Sequence, residues 1–234
     1  MYLADNFIKW SFFTILVVLF GSAFLLIELS LNSFSPIQIA FFRVFFASIF
    51  LLIYALLMGY KFNFIKKNFI LLFVLGLTGT TIPFFLISWA QTTISSSETG
   101  ILIGFMPLFT IIGSHYFFKY ENLSFNKILG FILGLCGLFI LLINNNEDVN
   151  IFGNIYAKAA VIISAFFYAV NALLVKKISN INVIPLSAVV MIFSSIQLLL
   201  ISFTGKEIYF LNEEIFISSI IAISILSLLS TAFA

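Results

Sequence analysis

The chain has 234 residues, 62% of them hydrophobic and 9% charged, with 32 phenylalanines and a mean hydropathy of +1.21. A soluble domain carries about 25% charged residues, so this composition excludes a water-soluble globular protein and places the chain in a lipid bilayer. The formal net charge of +2 is too small for a nucleic-acid-binding surface, and no nucleic-acid partner is expected.

A helix needs about 20 apolar residues to cross the hydrocarbon core. The sequence divides at its polar breaks into eight such runs, near 10 to 31, 36 to 58, 68 to 90, 96 to 118, 126 to 143, 153 to 175, 184 to 203 and 215 to 234. The first, Trp10 to Leu31, is longer than the 7–15-residue core of a signal peptide and lacks a small-x-small cleavage site, so it reads as a retained span. The second opens with Ser35, Pro36 and Gln38, which read as an N-cap, a first-turn proline and a capping-box partner. The third contains Pro83 and closes at Trp89 and Gln91, with the indole as an interface anchor. The fourth starts at a second capping box, Ser95 with Glu98, and is broken by Pro107. The fifth carries Gly130, Gly134 and Gly137, a spacing that predicts close approach of another helix. The polar stretch Asn144 to Asn150, NNNEDVN, follows as a candidate linker over 144–152. The fold class is therefore an all-α polytopic membrane protein.

Orientation comes from the basic residues. With the N-terminus in the cytoplasm, Lys9, Lys61, Lys66, Lys67, Lys119, Lys127, Lys176 and Lys177 lie inside, and among the loops only Lys206 lies outside. That asymmetry predicts a cytoplasmic N-terminus. A shift of 149 to 150 positions then sets Lys9 on Lys158, Pro36 on Pro185, and Thr80-Thr81 on Ser230-Thr231. A five-span unit returns the chain to the opposite side, so a second copy must be inverted, the arrangement found in many secondary transporters. The reading is a first repeat over 1–143 with five helices and an incomplete second over 153–234 with three. Eight of ten expected helices would be present, which reads as a C-terminally truncated fragment.

Ionisable and polar groups inside a span need a partner or a task. Glu28 lies about a turn from the outer end of the first span and Arg43 about two turns into the second, so neighbouring antiparallel helices could bring them together, either as a substrate or proton site or as a structural ion pair, or Glu28 could snorkel to the interface. Asn171, with Tyr168 one turn before it, lies near the middle of the sixth span. The substrate-path candidates are Glu28, Arg43, Trp89, Tyr168 and Asn171. Glu98 is explained by its capping box, and His115 by an interfacial position. The lone Cys136 makes no internal disulfide, and no metal-ligand spacing occurs, so neither metal nor cofactor is expected. Ser114 and His115 are adjacent, hence about 100° apart on a helix; they cannot form a nucleophile–base pair, and no enzyme is expected.

These residues resemble the drug/metabolite transporter superfamily, EamA type. The likeness rests on Phe20-Gly21-Ser22-Ala23-Phe24, Pro36 with Arg43, Trp89-Ala90, the SSSETG entry at Ser95 to Gly100, Pro107-Leu108-Phe109, the ENLS turn at Glu121 to Ser124, and Ser164 to Lys177. The pattern differs at Glu28, where many relatives carry a basic residue, and at Tyr120, where Gly is usual. The resemblance implies a multi-pass protein of the cell (inner) membrane. It further implies a secondary transporter of a small metabolite, an amino acid or related compound, working by alternating access through a cavity between the repeats. Export is the favoured direction, and proton coupling and oligomeric state stay open. Two other readings stand beside it, a flippase for a lipid-linked substrate and a non-transporting membrane scaffold.

Overall fold

The computed structural model describes residues 2–117, helical positions 126, 128–130, 132–134, 136, 137 and 140, and residues 154–178, 181–202 and 213–232. The described residues form helices and short turns. They are α1 (Tyr2–Ser30), α2 (Pro36–Leu57), α3 (Phe64–Gly76), a π-helical turn (Leu77–Thr81), α4 (Ile82–Ala90), α5 (Ser96–Ile103), α6 (Met106–Phe117), α7 (Ile155–Val175), a 3-10 turn (Lys176–Ile178), α8 (Val183–Ser202), α9 (Glu213–Ser227) and a second π-helical turn (Leu228–Ala232).

Six of the resulting rods are long and apolar enough to cross a bilayer: Lys9–Ser30, Pro36–Leu57, Phe64–Ala90, Ser96–Phe117, Ile155–Ile178 and Val183–Ser202. A shorter apolar helix runs over Phe216–Ala232. The first three predicted spans start later than, or within a few residues of, these helices. α1 begins eight residues before the predicted run because helical backbone continues through the polar N-terminal turn, from Tyr2 rather than Trp10. The linker expected at 144–152 and most of the fifth predicted span lie outside the described residues.

Local chemistry explains the helix starts. The Ser35 backbone N–H donates to Gln38 Oε1 at 3.0 Å, and Ser95 Oγ accepts from the Glu98 backbone N–H at 3.2 Å. The fourth span breaks where expected, with a turn at Gly104 and Phe105 just before Pro107, because proline at the start of α6 has no N–H for a continuous helix. Pro83 takes the analogous place in the first turn of α4, directly after the π turn.

Packing runs mainly between the first 117 residues and the segment after 154. α2 lies along α8, α4 and α6 along α7, and α1 along α9, while α9 also packs on α2 and α3 on α8. Ala40, Val44 and Ala47 of α2 and Leu198 of α8 are fully buried, and the small side chains let the backbones approach. The outward faces carry side chains such as Leu57 and Ile70, each 79% exposed. In water such a surface would aggregate; in hydrocarbon it is solvated. At Gly130, Gly134 and Gly137 an added Cβ would meet nothing within 4 Å among the described residues. The close helix approach expected there is therefore not made within the described chain, where the neighbouring Ile132 and Leu133 face outward.

Candidate functional site

A cavity of about 670 Å³ lies inside the bundle. Both segments of the chain line it, among others with Phe24 of α1, Arg43 of α2, Thr80 of the first π turn, Asn171 of α7, Ser187 of α8 and Thr231 of the second π turn. Its volume falls in the range of about 300–1,000 Å³ typical of small-molecule sites. From mid-bundle it extends to Val175 and Val183, which flank the turn between α7 and α8.

Arg43 is the cation of this chamber. Its side chain is 6% exposed. Nε donates to Thr231 Oγ1 at 2.7 Å, and Cζ sits 3.8 Å from the centre of the Phe84 ring. The ring face supplies negative electrostatic potential to a cation that has no carboxylate partner among the described residues. The edge of Tyr168 meets the same Phe84 ring, at 6.4 Å between centroids and 67°. Phe84 therefore links Arg43 and Tyr168 side by side along one wall.

Asn171 has two duties. Its Oδ1 accepts from Thr78 Oγ1 at 3.3 Å, joining α7 to the π turn. Its Nδ2 would stand 2.7 Å from a Cβ at Gly79, so the amide fits only because position 79 has no side chain. A π turn places one extra residue in the helix; here it turns the Thr78 and Thr80 hydroxyls and the bare Gly79 toward α7 and α8.

The two π turns are bonded alike. In the first, Thr81 Oγ1 donates to Gln197 Oε1 of α8 at 2.6 Å, and the hydroxyls of Thr80 and Ser194 share a hydrogen bond. In the second, Thr231 takes the Arg43 bond from α2, and Ser230 Oγ donates to the Leu19 carbonyl of α1 at 3.0 Å.

Of the five residues expected on a substrate path, Arg43, Tyr168 and Asn171 line the cavity, and Glu28 and Trp89 do not. Glu28 is exposed, and its Oε2 accepts the Ser96 backbone N–H at 3.1 Å. It caps α5, where a carboxylate is favoured by the helix dipole. It does not meet Arg43, because α9 packs against both α1 and α2. Trp89 is 42% exposed at the end of its span. His115 is also exposed and outside the cavity.

The end of the bundle beside Glu28 is tied by polar contacts that the sequence reading did not find. Glu98 uses its carboxylate for Lys158 Nζ, 2.9 Å away and partly buried, rather than for its own capping box. Asn154 Nδ2 donates to the Thr93 carbonyl at 2.8 Å, and Gln91 Nε2 to the Phe24 carbonyl at 3.0 Å. Ser219 Oγ contacts Ser33 Oγ at 3.0 Å. Lys158 lies within the sixth predicted span, and the matching depth of Glu98, at the start of α5, is the sequence signal for its partner. The constant offset between Thr80-Thr81 and Ser230-Thr231 likewise pointed to the π turns, although nothing in it named Arg43 or Gln197 as partners.

Apolar helices that face lipid outside and enclose a solute-sized, polar-dotted chamber inside define a multi-pass membrane protein. The chain belongs to the EamA-like transporter family, whose sequence profile matches residues 8–143, and so to the drug/metabolite transporter superfamily. It is similar to a protein of Archaeoglobus fulgidus described as an uncharacterized transporter, 28% identical over 191 residues, covering 81% of this chain and 66% of that one. It is also similar to an S-adenosylmethionine uptake transporter of Rickettsia bellii, 34% identical over 155 residues, covering 65% and 51% respectively. A Haemophilus influenzae protein described as an uncharacterized transporter is 34% identical over 155 residues, 62% of this chain and 49% of its own. The chain thus spans about half to two thirds of the length of these relatives. A solved crystal structure shares the fold, with a TM-score of 0.71 at 14% identity, over 94% of this chain and 74% of its own.

Proposed function

We propose that the protein is a secondary transporter that carries a small organic metabolite, an amino acid or a related compound, through the cavity by alternating access. The observation that carries this reading is the asymmetry of the chamber. The cavity lining reaches Val175 and Val183 toward one end, whereas at the opposite end Glu98–Lys158, Asn154–Thr93, Gln91–Phe24 and Ser219–Ser33 tie the helices together. A bundle closed at one end and hollowed toward the other is what one state of an alternating-access cycle requires. With the lysine distribution of the loops, the hollow end is the cytoplasmic one of an inner-membrane protein, and export is the favoured direction.

An inverted repeat underlies the cycle in this reading. Three observations support it. The π turns start 151 residues apart, at Leu77 and Leu228. Each gives a threonine to the helix that carries Pro36 or Pro185 in its first turn in the other half, Thr231 to Arg43 and Thr81 to Gln197. The packing of α4 on α7 has its counterpart in α9 on α1, and that of α3 on α8 in α9 on α2. Rocking one half against the other would part the tied end and close the hollow one. The name of the Rickettsia relatives extends the substrate range to S-adenosylmethionine, itself an amino-acid derivative.

The test is flux into proteoliposomes containing the full-length protein, offered amino acids and S-adenosylmethionine in parallel. Saturable flux of at least one solute is expected, lost in Arg43→Ala although that variant still inserts. Flux unchanged by Arg43→Ala removes the site assignment. No flux of any solute favours the scaffold reading.

A further inference from the structure

The hydrogen-bond inventory of the chamber is one-sided, and this indicates what it holds. Arg43 has five N–H donors. One is used by Thr231. The two Nη groups have no acceptor among the described residues, and neither is a sealed, unsatisfied atom, so they open on the cavity they line. Tyr168 and Asn171 also line the cavity, and neither the Tyr168 hydroxyl nor the Asn171 Nδ2 donates to a described residue. No Asp or Glu is among the lining residues described. Three kinds of donor, one of them a full positive charge, therefore border a common space whose described lining offers hydroxyl and amide oxygens but no carboxylate to balance the charge. The remaining wall is apolar and aromatic, with Phe20, Phe24, Ile103 and Met106.

Resting on the transport reading above, we infer that the cavity selects a solute bearing one carboxylate group, which seats on the Arg43 fork with Tyr168 and Asn171 donating beside it, while an apolar or aromatic remainder lies against the phenylalanines of α1. The planar guanidinium matches a carboxylate bidentately, and its fork is fixed in advance by the Thr231 bond and the Phe84 face. A single cation balances a carboxylate; a doubly charged phosphate ester would call for a second cation, which the described lining lacks. A solute without an acidic group would leave the Arg43 charge unbalanced on a desolvated surface, a larger loss than the absence of one favourable contact.

The test has two stages, both on full-length protein. Metabolites inside and outside cells are first compared with and without the gene, and with Arg43→Gln and Arg43→Lys. The expected result is that the solutes shifted by the wild type carry a carboxylate. Their shift should drop roughly tenfold or more in Arg43→Gln and partly recover in Arg43→Lys, as loss of a charged hydrogen-bonded pair would give. The most strongly shifted solute and its primary amide are then offered to proteoliposomes, where the acid should be favoured at least about tenfold. Tyr168→Phe and Asn171→Ala keep most of the packing and stand in if Arg43→Gln does not fold; each should raise KM for the acid several-fold and leave the amide unchanged. Equal transport of acid and amide, or wild-type-dependent solutes that are neutral or phosphorylated, overturns the carboxylate assignment while transport itself stands. No wild-type-dependent solute in either stage overturns the transport reading, and the assignment falls with it.

Discussion

The two π-helical turns are close in sequence and bonding pattern, and they differ in what they face. Leu77–Thr81 borders the chamber at Gly79 and Thr80 but spends its threonine side chains on other helices. Its Thr78, Thr80 and Thr81 meet Asn171, Ser194 and Gln197, and all three hydroxyls also stay inside the bundle, at most 7% exposed. Leu228–Ala232 binds a cation instead, and that cation presents its remaining donors to the chamber. One backbone device thus serves as a joint in one place and as the mount of a binding group in the other. The difference lies in the partner from the opposite segment, Gln197 against Arg43. A glutamine amide satisfies itself in the pair, with Oε1 on Thr81 and Nε2 on the Phe73 carbonyl at 3.0 Å. A guanidinium has donors to spare.

The largest expected effect separates the two mounts directly. In proteoliposomes Arg43→Ala should reduce flux by about a hundredfold or more, the size expected for losing charge-assisted bonds to a bound anion. Gln197→Leu should leave flux within about threefold, since helix–helix hydrogen bonds in membranes average about 0.6 kcal/mol. Equal losses in the two variants would show that both turns serve the same task.

Next comes the tight fit of the first turn. Gly79→Ala places a Cβ 2.7–2.9 Å from the Asn171 side chain, and overpacking of this kind costs about 1–3 kcal/mol. Thermal unfolding in detergent should show the loss, and the double variant Gly79→Ala with Asn171→Ala should recover most of it. An additive double variant would mean that the two side chains do not share that space.

A smaller effect is expected for the joint itself. Thr81→Val should destabilise by about 0.6–1.7 kcal/mol, and a double-mutant cycle with Gln197→Leu should yield a coupling of similar size. At the tied end, Glu98→Gln should lower stability by less than about 1 kcal/mol, an effect that fades with added salt. A larger, salt-insensitive loss would make Glu98–Lys158 a buried structural pair rather than a contact that can part.

The spans and their breaks were legible because they depend on local composition. Apolar runs bounded by Ser35-Pro36 or Ser95 with Glu98 begin in the structure where those caps lie. Arg43 and Asn171 could be singled out as polar groups in apolar helices, which is again local information. Their partners could not. Arg43 and Thr231 are separated by 188 positions, and Thr81 and Gln197 by 116; no short-range pattern carries such pairings. The expected meeting of Glu28 with Arg43 assumed that consecutive helices are neighbours. In the bundle α9 contacts both α1 and α2, and Glu28 turns to the start of α5. The positions of the two turns are marked by the offset between Thr80-Thr81 and Ser230-Thr231, but their π geometry is not legible, since one extra residue in a helical turn leaves the apolar composition of the span untouched.

The separation of Arg43 from Thr231 also has a consequence for biogenesis. The ribosome adds roughly 5–20 residues per second. The 188 positions between the two therefore correspond to a delay of about 10–40 s. Throughout it, the nascent helix bearing this charge lacks the hydroxyl acceptor it has in the finished bundle. Phe84, much nearer in the chain, emerges well before Thr231, so the aromatic face is available to the charge before the hydroxyl that completes its mount.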